Sequence, residues 1–153
     1  SAKYDMVRVG LAMYGMSPLG HDHNLKPIMK FRAQLVLVKK LPAGHPIGYG
    51  ATATTNEETN IGIVGVGYAD GIPRNALGAG VTFNGHSAPL IGRVSMDQIA
   101  VDLGPNSAAK SGDWVTVIGE SYDIYDWAKA CQTITYEIST RISGRIPRTY
   151  LES

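Results

Sequence analysis

The stretch FRAQLVLVKKL, residues 31–41, decides the fold class that the sequence predicts. Near its start, Phe31 and Ala33 alternate with Arg32 and Gln34, and the two-residue rhythm continues beyond them. Successive side chains of a strand point to opposite faces of a sheet, so a period of two is typical of a β-strand. We therefore expect a sheet built around this segment.

Further strand-like runs follow at short intervals, punctuated by glycine, proline and asparagine. These runs are IGIVGVGYA (61–69), VTFNG (81–85), APLIGRV (88–94), IAVDL (99–103) and DWVTVIG (113–119). Short strands spaced about 8 to 12 residues apart predict a mainly β fold, an antiparallel barrel or sandwich. Asn84-Gly85 lies between two of the runs and predicts a hairpin turn.

The part of the chain before residue 31 is predicted to contain one strand and a linker. MVRVGLAMY, residues 6–14, has the composition of a short buried strand that Gly10 interrupts. Residues 15–30 hold two prolines, two glycines and clustered polar residues, which indicates a linker.

Helices are predicted only late in the chain. Asp123 has the position of a helix cap, and apolar residues that share one face follow it, which predicts a short helix near residues 124–132. ITYEISTRI, residues 134–142, predicts one or two further helical turns, and the final RIPRTYLES predicts a return to strand.

Composition and charge exclude several classes of protein. The 153 residues suffice for one domain, and a net charge of +1 gives no electrostatic basis for binding nucleic acid or an anionic membrane. We see no signal peptide and no apolar run of the ~20 residues that a membrane span needs. The one cysteine, Cys131, cannot form an internal disulfide and fits a reducing compartment. His21-Asp22-His23 lacks ligand spacing, so we expect no metal site.

Two residues stand out because their chemistry conflicts with their surroundings. Tyr49 lies between Gly48 and Gly50 in IGYGATATT. It either packs on the core beside a turn or projects its phenol into a cavity that something approaches closely. Arg8 lies within the apolar run VRVGLAMYG, where it is either exposed on an edge strand or paired, because a buried unpaired charge is costly.

Two glycine-rich or polar loops complete the set of candidate segments. GVGYADGIPR, residues 65–74, is not followed by a helix, so a turn rimmed by polar side chains is a better interpretation than a phosphate loop. In GRVSMDQIAVDLG, residues 92–104, the SMDQ break is either a plain hairpin or a turn that Asp97 orders with its side chain.

Taken in order, six segments resemble the C-terminal third of bacterial alanine racemase. They are VRVGLAMYG, GYGATAT, GYADGIPR, GRVSMDQ, GDWVTVIG and YEISTRISGRIPRTY, and they cover essentially the whole chain. Each segment alone is a weak signal, whereas their combination and order are very specific. The resemblance also extends to the serine/alanine racemase domain of glycopeptide resistance.

The resemblance implies a division of the chain and a cofactor. Residues 1–18 would be the final strand of a TIM-type barrel that carries pyridoxal 5′-phosphate, with the start of the linker, and residues 19–153 would be the C-terminal β domain. Arg8 matches the arginine that donates a hydrogen bond to the pyridine nitrogen. Gly10 and Leu11 match the positions whose main-chain amides meet the cofactor phosphate.

The resemblance also implies which residues act on the substrate. Tyr49 matches the catalytic tyrosine, which works on one face of the α-carbon while a lysine, freed from its Schiff base with the cofactor, works on the other. Met96 matches the position whose main-chain N–H binds the substrate carboxylate, and Asp97 lies beside it. The entryway positions are Tyr68, Arg74, Arg93 and Ile142.

Two departures from the family pattern concern the cofactor. Lys39 and Lys40 belong to a strand of the β domain and do not match the Schiff-base lysine, which would lie in the barrel. Gly144 stands where some members carry a tyrosine that contacts the phosphate, so this contact is absent or made by another group.

The function implied by the resemblance is interconversion of L- and D-alanine for peptidoglycan precursors. The full enzyme would be a cytoplasmic homodimer with an active site shared between subunits, and this chain alone would be inactive. Two alternatives remain open, namely the serine/alanine racemase domain of a glycopeptide-resistance protein and a non-catalytic β-barrel interaction module.

Overall fold

The structure is a computed structural model, and it describes residues 5–20, 24–76, 78–119 and 121–151. In these residues the strands are β1 (Phe31–Leu41), β2 (Pro46–Ile47), β3 (Ala53–Thr54), β4 (Thr59–Val64), β5 (Gly80–Phe83), β6 (His86–Pro89), β7 (Ile99–Asp102) and β8 (Trp114–Ile118). The helices are α1 (Ile124–Ala130) and α2 (Thr135–Arg141), and short 3₁₀ turns span Gly10–Tyr14, Tyr49–Ala51 and Tyr68–Asp70.

Six of the strands form one antiparallel sheet that curls into a nearly closed barrel. Its order is β6-β5-β8-β1-β4-β7. An isolated bridge between Leu90 and Val101, together with a 2.8 Å hydrogen bond from the Ile91 N–H to the Ala100 carbonyl, joins its two edges. The predicted mainly β, antiparallel fold is therefore confirmed.

Strand β1 pairs with both β4 and β8 and follows the predicted alternation only in its first half. Phe31, Ala33 and Leu35 are buried. A register shift against β4 follows Leu35, and beyond it Leu37 is about half exposed. An irregularity of this kind reverses the faces that later side chains occupy, which sequence alternation alone does not reveal.

The predicted hairpin and the first predicted helix are both confirmed. Asn84 and Gly85 join β5 to β6 with positive φ angles of 47° and 80°, as a two-residue hairpin turn requires. Helix α1 begins at a capping box, in which the carboxylate of Asp123 accepts from the Tyr125 and Asp126 N–H groups and the Asp126 carboxylate accepts from the Asp123 N–H.

The core lies inside the barrel and continues beneath the two helices. Strand residues such as Val64, Val81 and Val115 are fully buried, and Trp127 of α1 is nearly so. The Trp127 indole N–H donates a 2.6 Å hydrogen bond to the Val117 carbonyl. A buried aromatic side chain whose polar atom is satisfied fixes the helix on the barrel.

The strand predicted over residues 6–14 is not formed in the structure. Residues 5–9 are irregular and exposed, and a 3₁₀ turn follows them. A strand needs a neighbour for its main-chain hydrogen bonds, and none of the described strands pairs with this segment. The proposed boundary between residues 1–18 and 19–153 stays a prediction.

The linker that follows is nevertheless packed on the domain. Leu11, Met16 and Ser17 are buried. The Ser17 N–H donates to the Tyr125 hydroxyl at 2.7 Å, and that hydroxyl donates to the Ser17 carbonyl at 3.2 Å. Loose packing, which we expected throughout residues 1–18, is thus seen in residues 5–10 and not in the buried residues after them.

The expected return to strand at the C-terminus is also wrong for the residues that the structure describes. Residues 142–151 are turns and irregular chain. Pro147 lacks a main-chain donor, and the Ile146 N–H bonds to the Ser143 carbonyl within a turn. The second helix, predicted over residues 134–142, is confirmed as α2.

Candidate functional site

The turn that carries Tyr49 explains the glycines on both sides of it. Gly48 and Gly50 have φ angles of 75° and 74°, a left-handed conformation that glycine adopts without strain. A Cβ added at Gly48 would lie 3.7 Å from the main-chain nitrogen of Arg93, so the Tyr49 turn abuts the segment that starts at Gly92. The side chain of Tyr49 lies outside what the structure describes.

Tyr68 and Met96 belong to two loops that are bonded through their main chains. We call residues 67–71 the tyrosine loop and residues 95–98 the methionine loop. The Tyr68 N–H donates to the Ser95 carbonyl at 3.0 Å, and the Ala69 N–H donates to the Met96 carbonyl at 2.9 Å. The side chains of Tyr68 and Met96 are both exposed beside this contact.

A third segment, residues 142–145, joins the tyrosine loop from the other side. The Ser143 N–H donates a 3.1 Å hydrogen bond to the Asp70 carbonyl. A Cβ at Gly71, where φ is 111°, would lie 2.3 Å from the Arg141 carbonyl oxygen. Because only glycine permits this approach, Ile142 is held beside the tyrosine loop.

Charged side chains connect the same three segments. The guanidinium of Arg145 lies 2.9 Å from Asp97 through Nη2 and 3.6 Å from Asp70 through Nε. The hydrogen bond to Asp97, helped by the charge of Asp70, raises the pKa of Arg145 above its usual value. The turn at Asp97 is closed by a 2.9 Å bond from the Ser95 N–H to the Gln98 carbonyl, while the Asp97 carboxylate faces Arg145.

Asp70 and Arg145 are the residues that our sequence predictions omitted. Asp70 is 6% exposed, and its Oδ2 accepts a 2.9 Å hydrogen bond from the Gly67 N–H. One signal was available, because a carboxylate in a glycine-rich, apolar stretch needs a cation if it is buried. Nothing local indicates that the cation lies in the C-terminal segment.

The remaining predicted residues lie on separate parts of the surface. Arg74 is exposed next to Asn75, whose amide donates to the Cys131 carbonyl and so ties this turn to the end of α1. Arg8 and Gly10 lie on the exposed N-terminal segment, whereas Leu11 is buried in the core. The contacts described above thus join Tyr68, Met96, Asp97 and Ile142 in one assembly, with Arg93 against the Tyr49 turn.

The comparison of the sequence with protein families decides the family. The model of "Alanine racemase, C-terminal domain" matches residues 28–150. The chain belongs to this family. The resemblance drawn from the six segments is therefore confirmed.

Individual relatives of this racemase domain agree with the family match. The alanine racemase of Shewanella amazonensis is 43% identical over 147 residues, covering 93% of this chain and 40% of the relative. The crystal structure of alanine racemase from a D-cycloserine-producing Streptomyces lavendulae superposes with a TM-score of 0.89 and 47% identity, over 94% of this chain and 40% of that one.

A third comparison links the fold to a cofactor in a relative. The alanine racemase of Bartonella henselae, solved with covalently bound pyridoxal phosphate, superposes with a TM-score of 0.87 at 36% identity. The match covers 93% of this chain and 40% of that one. The chain thus spans about two fifths of the length of each of these relatives. In the described part of the chain, no helix is long and apolar enough to cross a membrane.

The donors at the N-terminal segment are chemically suited to pyridoxal phosphate. Arg8 is an exposed guanidinium that donates hydrogen bonds and accepts none. The N–H groups of Gly10 and Leu11 open a 3₁₀ turn, where main-chain donors lack partners within the turn. A ring nitrogen and a phosphate both need donors of these kinds.

Proposed function

We propose that this chain is the C-terminal part of a pyridoxal-phosphate-dependent alanine racemase, in which it supplies one of two proton-transfer groups and part of the substrate site. The observation that carries the proposal is the contact between the tyrosine loop, the methionine loop and residues 142–145, which family membership accompanies. Racemisation needs a proton removed from one face of the α-carbon and delivered to the other.

Each residue then has a distinct task. The cofactor, when bound, stabilises negative charge at the α-carbon of alanine. Arg8 holds the ring by a hydrogen bond to its nitrogen, and because an arginine stays protonated it does not exchange a proton with that nitrogen. Gly10 and Leu11 bind the phosphate through their N–H groups. The Met96 N–H binds the substrate carboxylate.

Tyr49 exchanges the α-proton on its face of the substrate. A free phenol has a pKa of about 10, so the site must favour the phenolate for Tyr49 to act as a base near neutrality. The glycines on either side place it on a turn whose main chain is stripped of neighbouring side chains. Such a turn suits a residue that reaches a site shared with another subunit, and we propose that the full enzyme is a homodimer of this kind.

The alternatives differ in what they need from the chain. The alanine racemase names of the matched relatives favour alanine over a serine/alanine enzyme and over a non-catalytic module. The entryway positions Tyr68, Arg74, Arg93 and Ile142 would control access to the site and take no part in proton transfer. A cytoplasmic location is part of the same proposal.

The test is Tyr49→Phe in the full-length enzyme, with Tyr136→Phe as the matched control. Tyr136 is exposed on α2 and has no place in the proposed site. Tyr49→Phe should leave cofactor absorbance nearly intact and slow racemisation by about 10²–10⁴-fold, the usual contribution of an acid–base group.

Substrate deuterated at the α-carbon sharpens this test. The isotope effects of Tyr49→Phe should differ between the L-to-D and D-to-L directions, because only one direction uses Tyr49 to remove the α-proton. Near-normal turnover of Tyr49→Phe in both directions would exclude it as a proton-transfer group. Absence of racemase activity in the unaltered full-length protein would refute the proposed function.

A further inference from the structure

Arg145 lies between two carboxylates that belong to different loops. Its Nη2 is 2.9 Å from Asp97 Oδ1 in the methionine loop, and its Nε is 3.6 Å from Asp70 Oδ1 in the tyrosine loop. The two contacts use different nitrogens of one planar group. The side chain of Arg145 is itself about half exposed, so its position depends on these partners.

The two carboxylates are anchored to very different degrees. The side chain of Asp70 is 9% exposed, and its second oxygen is fixed by the Gly67 N–H. Asp97 has a side chain 55% exposed. A nearly buried carboxylate requires a cation, so Asp70 holds the guanidinium in place and the guanidinium restrains the more mobile Asp97.

The main-chain contacts alone fix the two loops only along one line. Two hydrogen bonds, from Tyr68 to Ser95 and from Ala69 to Met96, run side by side at the point of contact. The Arg145 bridge adds a side-chain link that acts on Asp97, the immediate neighbour of Met96. It therefore limits how far the Met96 main chain can turn away from Tyr68.

We propose that Arg145 is a positioning residue that holds the methionine loop against the tyrosine loop and so sets the affinity of the site for the carboxylate of the substrate. The inference rests on the proposed function for the part that concerns substrate. Arg145 acts through Asp97 and Met96 and touches neither the substrate nor the reacting atoms.

Lysine should not replace arginine in this role. A lysine ammonium is a single point charge on a flexible stem, whereas the guanidinium presents nitrogens that reach two carboxylates from one rigid plane. Arg145→Lys keeps the charge but loses one of the two contacts, which separates the geometric requirement from the electrostatic one.

The experiment compares Arg145→Gln and Arg145→Lys with Arg141→Gln in the full-length enzyme. Arg141 is a matched control, because its salt bridge to Glu137 lies along the exposed side of α2. We expect Arg145→Gln to raise the KM for alanine about ten- to a hundredfold in both directions with a smaller change in kcat, since misplacement of a binding group weakens substrate binding. Arg145→Lys should recover only part of the loss, and Arg141→Gln should behave as the unaltered enzyme.

Hydrogen exchange supplies a readout that does not depend on activity. The N–H groups of Tyr68 and Ala69 donate across the loop contact, so both should exchange faster in Arg145→Gln than in Arg141→Gln. Asp97→Asn removes only the exposed partner and serves if Arg145→Gln fails to fold. It should raise KM similarly, and the double variant should be no worse than Arg145→Gln alone.

Two results would overturn the inference. One is an Arg145→Gln enzyme whose KM and exchange rates match those of Arg141→Gln. The other is full recovery of both by Arg145→Lys, which would show that charge alone suffices. If the unaltered enzyme lacks racemase activity, the proposed function fails, while the exchange rates still decide whether Arg145 holds the two loops together.

Discussion

Gly67 and Met96 approach so closely that no side chain fits between them. A Cβ built on Gly67 would lie 2.4 Å from the carbonyl oxygen of Met96 and 2.4 Å from that of Ser95. Gly67 itself has an extended conformation, with φ near −151°, which any residue adopts. The requirement for glycine therefore comes from this contact and not from backbone strain.

Gly67→Ala should separate the tyrosine loop from the methionine loop. The added methyl group must displace main chain that carries the Tyr68–Ser95 and Ala69–Met96 hydrogen bonds, and overpacking of this kind typically costs about 1–3 kcal/mol. Urea unfolding should show the loss, and the full-length enzyme should show a raised KM for alanine. Gly85→Ala on the β5–β6 turn strains a left-handed residue far from the site, and it should destabilise without changing KM.

Tyr68→Phe should affect access and affinity more than chemistry. Tyr68 is 43% exposed at the edge of the loop contact, and we assign it to the entryway and not to proton transfer. Steady-state kinetics of the full-length enzyme should show a change in KM with kcat largely kept. If Tyr68→Phe abolished turnover while Tyr49→Phe retained it, the roles of the two tyrosines would have to be exchanged.

The chain by itself should neither racemise alanine nor retain the cofactor. It spans about two fifths of the length of its relatives, and the proposed mechanism needs a second proton-transfer group that the chain does not supply. Arg8 and two main-chain N–H groups should hold pyridoxal phosphate too weakly to survive gel filtration. A retained absorbance band of the cofactor, or turnover by the purified chain, would contradict this expectation.

Cys131 should react slowly with thiol reagents in the folded protein. Burial raises the pKa of its thiol, and the nearby positive charge of Arg141 offsets this only in part. The thiolate is the reactive form, so at about pH 7 a chromogenic disulfide reagent should label the folded chain far more slowly than the urea-unfolded chain. Equal rates in the two states would show that the thiol is accessible and normally ionised.

Glu137 should contribute to stability above its ordinary pKa and lose that contribution in acid. The Thr133 hydroxyl is the main cause and Arg141 the second, and together they lower the pKa of Glu137 in the folded state. A carboxylate whose folded pKa is depressed stabilises the fold above its unfolded pKa, and the effect disappears as the pH falls through the folded value.

Carboxyl-carbon NMR titration can rank the two causes. Thr133→Val should raise the pKa of Glu137 more than Arg141→Gln does, because the hydroxyl contact has the larger effect. Unfolding of Glu137→Gln across the acid range should show its deficit relative to the unaltered protein shrinking as the pH falls. A larger rise in Arg141→Gln would reverse the order of the two partners.

Elements whose hydrogen bonds are local were predicted from the sequence alone. Asn84-Gly85 specifies its own turn because both residues tolerate positive φ, and Asp123 starts α1 because its carboxylate caps the N–H groups just ahead of it. The first half of β1 was equally clear, since alternation reports directly on which face is buried. The order of the six segments also sufficed to place the chain in its family.

Tertiary structure decided whatever depends on partners distant in sequence. The segment 6–14 has the composition of a strand, but it forms none without a neighbour to pair with. The register shift after Leu35 depends on how β4 meets β1. The bridge from Arg145 to Asp70 and Asp97 joins loops far apart in the chain, and a charge pair has no periodicity to reveal it. Local main-chain preferences are written in neighbouring residues, whereas contacts between loops exist only once the barrel has brought them together.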